Sequence, residues 1–242
     1  MKKIKDNKNK ISEKKSCKEL FTNHYSLFTP KSGFTLAEVL ITLGVIGIVA
    51  AMTIPTLIAN TQSQKFRSQF KKTLSTLNQA VKMSQAKYDM DFTNLEGFGS
   101  MTANPEEGTK TIVALFNGTL SNHNIFYNQE YEDQVTSITY LGRISEILYI
   151  SLSDGSIIGF DGSMETCTKE LKNYCIGWID VNGTALPNKA VTCVNSADYQ
   201  IGYNNNCVVD NKTMGDIFPI WFHDATVEPL TSAARYILNS TK

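Results

Sequence analysis

Few residues in this chain have the type and spacing to do chemistry, and the most unusual is Glu38. It is the one charge in the 25 residues from Phe34 to Ile58. At about 1.5 Å rise per residue that run makes roughly 37 Å of helix, enough to cross a hydrocarbon core of about 30 Å. An ionised carboxylate in a spanning helix costs about 2.5–3.5 kcal/mol at the bilayer centre and less toward the edge. Its chemistry is ion pairing, and it needs a cation. A secretory signal peptide fits poorly: its apolar core is about 7–15 residues long and ends in a small-x-small site. Here the run is longer, Glu38 interrupts it, and Ala50-Ala51-Met52 makes a poor site.

The second candidate chemistry is sulfur. Cys17 lies near the start, and Cys167, Cys175, Cys193 and Cys207 fall in the last third. No Cys-x-x-Cys occurs, and His24, His123 and His223 are scattered, which argues against zinc. Nucleophile motifs are lacking beside His123 and His223. Gly97-x-Gly99 lacks the strand–helix context and following Lys of a phosphate loop. Nothing here points to an enzyme.

Charge sets the direction of insertion. Residues 1–33 hold nine Lys against three acids, a net of +6, and the remainder holds 14 basic and 20 acidic residues, a net of −6. A Lys excess before a spanning helix holds that end in the cytoplasm, so residues beyond about 58 lie outside. The acidic exterior gives no general pull on nucleic acid. Four cysteines on an oxidising side predict two disulfides. Three connectivities are possible; nearness in sequence favours Cys167–Cys175 and Cys193–Cys207.

Several features around Glu38 occur together. They are a Lys-rich leader, Gly33 before the aromatic Phe34, Thr35-Leu36, Glu38 as the fifth residue after Gly33, and Pro55 near the end of the apolar run. This stretch, roughly residues 31–60, resembles the amino-terminal segment of type IV prepilins and of type II secretion pseudopilins. The resemblance implies that a prepilin peptidase cuts between Gly33 and Phe34 and methylates the new amine. A free α-amino group ordinarily titrates at about pH 7.7–8.0. In an assembled filament it can meet Glu38 of a neighbour and set axial register, as a lone polar pair does in an apolar interface. The alternative is a plain anchor whose Glu38 sits at headgroup level.

The elements that must position these residues follow. Residues 1–33 form a basic leader, cleaved on this reading, and 34–58 form the transmembrane and assembly helix. Pro55 removes a donor and should bend or loosen that helix near 51–55. Residues 59–88 continue it amphipathically, with Phe66, Phe70, Leu74, Leu77, Val81 and Tyr88 at steps of three or four. The basic cluster 65–72 is expected on a solvated or headgroup-facing surface. Residues 89–242 form an extracytoplasmic head. Its start (89–108) is loop, Thr109–Phe116 a short helix, and Ser121–Glu132 irregular. Val135–Leu141, Ile147–Leu152, Ile157–Phe160 and Cys175–Val181 read as strands of a sheet of three or four, with Asp154-Gly155 at a hairpin turn. The tail from 182 is loop-rich. Asp216–Phe222 should dock on the sheet edge, because Pro219 cannot donate to an interior ladder. Leu230–Leu238 fits a short helix.

Asp180-Val181-Asn182-Gly183-Thr184, with Pro187-Asn188 and Gly215-Asp216-Ile217-Phe218, resembles a stretch in the heads of some prepilin-like proteins, and some pseudopilins bind calcium there. That would make Asp180, Asn182 and Asp216 calcium ligands. The spacing lacks that of an EF-hand loop, and an Asx-rich turn is the competing reading. Otherwise no cofactor is expected.

The expected fold is α+β and pilin-like: a long N-terminal helix on a small antiparallel sheet with a disulfide-bearing, irregular C-terminal region. The expected function is a structural subunit, a minor one, of a pseudopilus or type IV pilus-like filament. Its partners are other pilin-like subunits, the prepilin peptidase and the inner membrane, with the head in the periplasm or beyond. Two alternatives are a minor pilin acting as an adhesin or DNA- or ligand-binding module, and a membrane-anchored protein that does not assemble.

Overall fold

The computed structural model describes residues 33–97, 99–127, 147–170, 175–194 and 206–240. By internal contacts the chain divides into Met1–Gly47 and Ile48–Lys242. The first unit's described part is the opening of helix α1 (Leu36–Tyr88). Among the described residues the second holds the rest of α1, six strands and two further α-helices.

The amphipathic stripe of α1 does what its spacing predicts. Phe66, Phe70, Leu74, Leu77 and Val81 are buried, while Tyr88 is half-buried. Their partners are the side chains on one face of an antiparallel sheet. It runs in chain order: β1 (His123–Phe126), β2 (Ile147–Leu152), β3 (Ile157–Asp161), β4 (Cys175–Asp180), β5 (Ile217–His223) and β6 (Thr226–Pro229). Phe70 stacks on Phe218 with centroids 4.3 Å apart. Helix α2 (Ile112–Thr119) is capped by Thr111, whose hydroxyl accepts from Ala114 N at 3.2 Å. It adds Phe116 to the core, against Phe160 and Phe222. Helix α3 (Ser232–Asn239) closes the described chain, capped in the same way by Thr231.

Three expectations need correction. Among the described residues the sheet has six strands rather than three or four, because the tail supplies β5 and β6, and β1 lies in the stretch expected to be irregular. Val135–Leu141 lies outside the described residues. The segment carrying Pro219 is interior, between β4 and β6. Pro219 O accepts from Leu230 N at 2.9 Å, so the missing N–H falls on the β6 side, just past the end of that strand. Pro219 forfeits only the return bond of that terminal pair, and the β4 side of the strand loses nothing. The basic cluster of α1 is also not simply solvated. Arg67 is buried, with Nη1 bonded to Ser240 Oγ and Nη2 to Asn211 Oδ1 at 2.7 Å. Burial draws its guanidinium below its ordinary pKa, while Tyr236 raises it. Lys71 Nζ donates to Ser240 O, the kind of carbonyl that a helix C-terminus offers to a cation. Lys72 pairs with Asp154 at 3.0 Å in the β2–β3 turn. These cations fasten the sheet and α3 to α1.

Both faces of the sheet are buried at its centre. Opposite the α1 face lie Ile147, Tyr149, Ile157, Ile176, Trp178 and Ile217. Burial on both faces fits the nearly continuous apolar composition of β2 and β4, where a strand with one solvated face would alternate.

The β6 edge is closed by one side chain. Asn78 Oδ1 accepts from Val227 N and Asn78 Nδ2 donates to Val227 O, both at 2.9 Å. The carboxamide stands in for one rung of a seventh strand and blocks pairing with another chain. Asn78→Ala is expected to destabilise the protein by about 1–3 kcal/mol, the cost of leaving such a pair unmade. Urea unfolding of the full chain in detergent measures this, and an unchanged midpoint would remove Asn78 from that role.

Candidate functional site

The start of α1 is organised by a reciprocal cap. Thr35 precedes the first helical residue, Leu36, so Glu38 occupies the third helical position. Thr35 N donates to Glu38 Oε2 at 2.9 Å, and Thr35 Oγ1 donates to the same oxygen at 2.9 Å. Glu38 N donates to Thr35 Oγ1 at 3.2 Å. This is a capping box, in which two helix-start amides are satisfied by each other's side chains. The carboxylate also lies at the positive end of the helix dipole. Sequence reasoning on the charge alone passes over Thr35, although Thr-x-x-Glu before an apolar run is the signature of this cap.

The box changes the account of Glu38. Its charge is not bare before a partner arrives, because Thr35 supplies two donors. Both fall on Oε2, so Oε1 can accept from a further donor while the cap persists. The bond before Phe34 is open to approach. Gly33 is exposed with no heavy atom within 4 Å of where a Cβ would stand, and Phe34 is 88% exposed.

Beyond the cap, every large apolar side chain from Phe34 to Ile58 is exposed. An 18-residue window of this helix has a mean hydropathy of 2.2 and none of it is buried within the chain. A surface of this size and composition requires a non-aqueous neighbour. Helix α1 runs on through Pro55. The proline withholds the amide that would reach Ala51 O, while Thr53 and Thr56 turn their hydroxyls back to Val49 O and Thr53 O at 3.0 and 2.8 Å.

Residues 29–54 match the family described as the prokaryotic N-terminal methylation motif. The chain carries a prepilin-type cleavage and methylation motif. No curated protein and no solved structure matches the chain significantly. The architecture is α+β and pilin-like: the motif opens a long apolar helix that continues onto an antiparallel sheet, and the head carries disulfides. One long apolar N-terminal helix with this motif fits a membrane-anchored single-pass protein.

In the head, Cys167 is bonded to Cys175 and Cys193 to Cys207. The first anchors a three-way junction: Cys167 N donates to Phe92 O, Phe92 N to Asp224 O, and Asp224 N to Cys167 O, at 2.7 to 2.9 Å. The structure also gathers Asp180, Asn182 and Asp216. Asp180 Oδ1 accepts from Asn182 N at 3.1 Å. Asp216 is fully buried and accepts from Asn188 N and Lys189 N at 3.0 and 2.8 Å. Burial pushes its carboxyl above the ordinary value, and the amide bonds only partly offset this. Asn182 Nδ2 donates to Ala185 O and Leu186 O. These oxygens organise the turn that joins β4 to the 186–190 loop, as Asx turns do. Among the described residues, no group of three or more His, Cys, Asp or Glu is arranged to hold a metal ion. His123 and His223 lie apart from the motif: His123 bonds Asn117 Oδ1 at 2.9 Å, and His223 bonds Asp224 Oδ2 at 2.8 Å.

Proposed function

We propose that this protein is a structural subunit, and a minor one, of a type IV pilus-like filament or type II secretion pseudopilus. On this reading residues 1–33 are a leader removed between Gly33 and Phe34, and Phe34 becomes N-methylated. Residues 34–58 hold the subunit in the inner membrane and then pack against like helices. Residues 59–88 carry the head, residues 89–242, on the periplasmic side. The observation that carries the reading is the methylation motif at the start of a helix whose apolar side chains are uncovered from Phe34 to Ile58. A second copy of such a helix, or lipid, is the cover that this surface accepts equally well. The disulfide-closed segment between Cys193 and Cys207 supports a specialised, minor role.

The capping box supports a two-stage use of Glu38. In the single subunit Thr35 holds the carboxylate, which lowers the cost of keeping it in the apolar segment. After cleavage the cationic Phe34 amine of a neighbour is a donor for Oε1. A buried charge is tolerable when paired and hydrogen-bonded.

N-terminal and intact mass spectrometry of the non-reduced membrane fraction tests this. The expected chain begins at methylated Phe34 and is four hydrogens light for its two disulfides. A chain that keeps residues 1–33 in cells with an active prepilin peptidase would sink the reading in favour of a non-assembling membrane anchor.

A further inference from the structure

The foot of the head carries a groove beside the first polar turn of α1. Ala59, Gln62 and Ser63 form one wall, and the loops bearing Leu186, Lys189 and Lys212 form the other. Its volume is about 430 Å³. We propose that this groove docks the head onto anionic phospholipid headgroups of the membrane that α1 crosses. The proposal rests on the spanning reading of α1.

Position is the first argument. Ile58 is the last residue of the exposed apolar run, and Met52, Ile54 and Leu57 precede it on the same uncovered surface. Residues 59–63 lie roughly 2–8 Å further along the helix axis. The headgroup layer on each side of the hydrocarbon is about 5–8 Å thick. The α1 wall of the groove is therefore at headgroup depth.

Chemistry is the second argument. Two lysines and no acid line the groove, and neither ammonium has an ion pair among the described residues. In the same loop Lys212 N donates to Asp210 Oδ1 at 2.9 Å. Asn211 is held in place by Arg67 at 2.7 Å, so the Lys212 loop is braced against α1. Leu186 is 78% exposed at the mouth, a large apolar side chain with no protein cover. Lysines that reach phosphate depth beside an apolar side chain that enters the interface are the ingredients of membrane-surface binding. Each lysine near an anionic surface contributes about five-fold to the docked population.

The test uses hydrogen–deuterium exchange of the full chain, one copy per nanodisc. Discs of phosphatidylcholine alone are compared with discs holding roughly 30% phosphatidylglycerol, an anionic load on the order of that of an acidic leaflet. Exchange in peptides spanning 184–189 and 210–214 is expected to slow at least about five-fold in the anionic discs. The protection should vanish in 1 M salt, where the Debye length falls to about 3 Å, and in the Lys189→Glu/Lys212→Glu variant, but persist in Lys82→Glu. Equal exchange in both disc types, or protection that survives the double substitution, overturns the groove proposal. Protection that appears only with several copies per disc assigns the groove to a neighbouring subunit and overturns it too. A chain that does not enter discs at all overturns the spanning reading and the proposal together.

Discussion

Glu38→Leu is expected to abolish filament assembly while leaving membrane insertion intact or improved. The two effects have opposite signs because the carboxylate has two different neighbours. In the single subunit Glu38 is an acid in an apolar segment, and its removal relieves a cost of up to about 2.5–3.5 kcal/mol, less near the edge. The lost capping box returns part of that, about 0.5–2 kcal/mol. In the proposed filament, Leu at position 38 leaves the Phe34 amine of a neighbour buried without its counter-charge. Breaking a buried pair by deleting one partner costs about 3–5 kcal/mol, a factor of at least about a hundred at every subunit contact. Glu38→Gln keeps a hydrogen-bonding group without the charge and should fall between. Immunoblots of sheared filaments against the membrane fraction measure both quantities at once. Wild-type filament yield from Glu38→Leu would show that no inter-subunit pair forms at Glu38. Thr35→Val supplies the complementary test: it removes the hydroxyl half of the cap but leaves the charge, so insertion should weaken while assembly is largely kept.

The same residue shows what a sequence can and cannot convey. Glu38 is legible as an anomaly because a single charge in 25 apolar residues violates the logic of a membrane span. Its cap is equally legible, since Thr35-x-x-Glu38 is a local pattern whose geometry is fixed by one helical turn. The α1 stripe is legible for the same reason: steps of three and four place Phe66, Phe70, Leu74, Leu77 and Val81 on one side whatever they pack against. The β2–β3 hairpin announces itself by Asp154-Gly155, and Gly155 takes a φ of +87°. What is not legible depends on partners distant in sequence. Pro219 forbids an interior strand only if its missing N–H falls in mid-ladder, and the end of β6 places that loss at the last pair. Arg67 and Lys71 are ordinary surface cations until Ser240, far along the chain, comes to meet them. The six-stranded extent of the sheet likewise depends on β5 and β6, which lie beyond the disulfide-closed segment and belong to no local repeat.

Gly159 is where such long-range dependence should be most costly to disturb. It pairs with Trp178 across β3 and β4. A Cβ at 159 would stand 2.2 Å from Cζ2 and 2.3 Å from Cε2 of that indole. Glycine normally weakens a strand by roughly 0.5–1 kcal/mol relative to alanine. Here the bare backbone is the floor on which a fully buried indole lies, with the Tyr149 ring meeting it edge-on at 6.0 Å. Trp178 has no solvent to swing into, so Gly159→Ala must splay the strands or expel the ring. Overpacking of this kind costs typically about 1–3 kcal/mol and here should sit at or above the top of that range, because the clash is with rigid ring atoms; Gly159→Val should leave little folded head. Trp178→Ala alone is expected to cost about 3–5 kcal/mol through the cavity it leaves. In the double variant the new methyl no longer meets the ring, so the two costs should fall short of additivity by about 1–3 kcal/mol. Urea unfolding of the full chain in detergent, followed by circular dichroism of the sheet, supplies the cycle. Strict additivity would mean that the indole does not rest on Gly159, and that the second face of the sheet is held by other contacts.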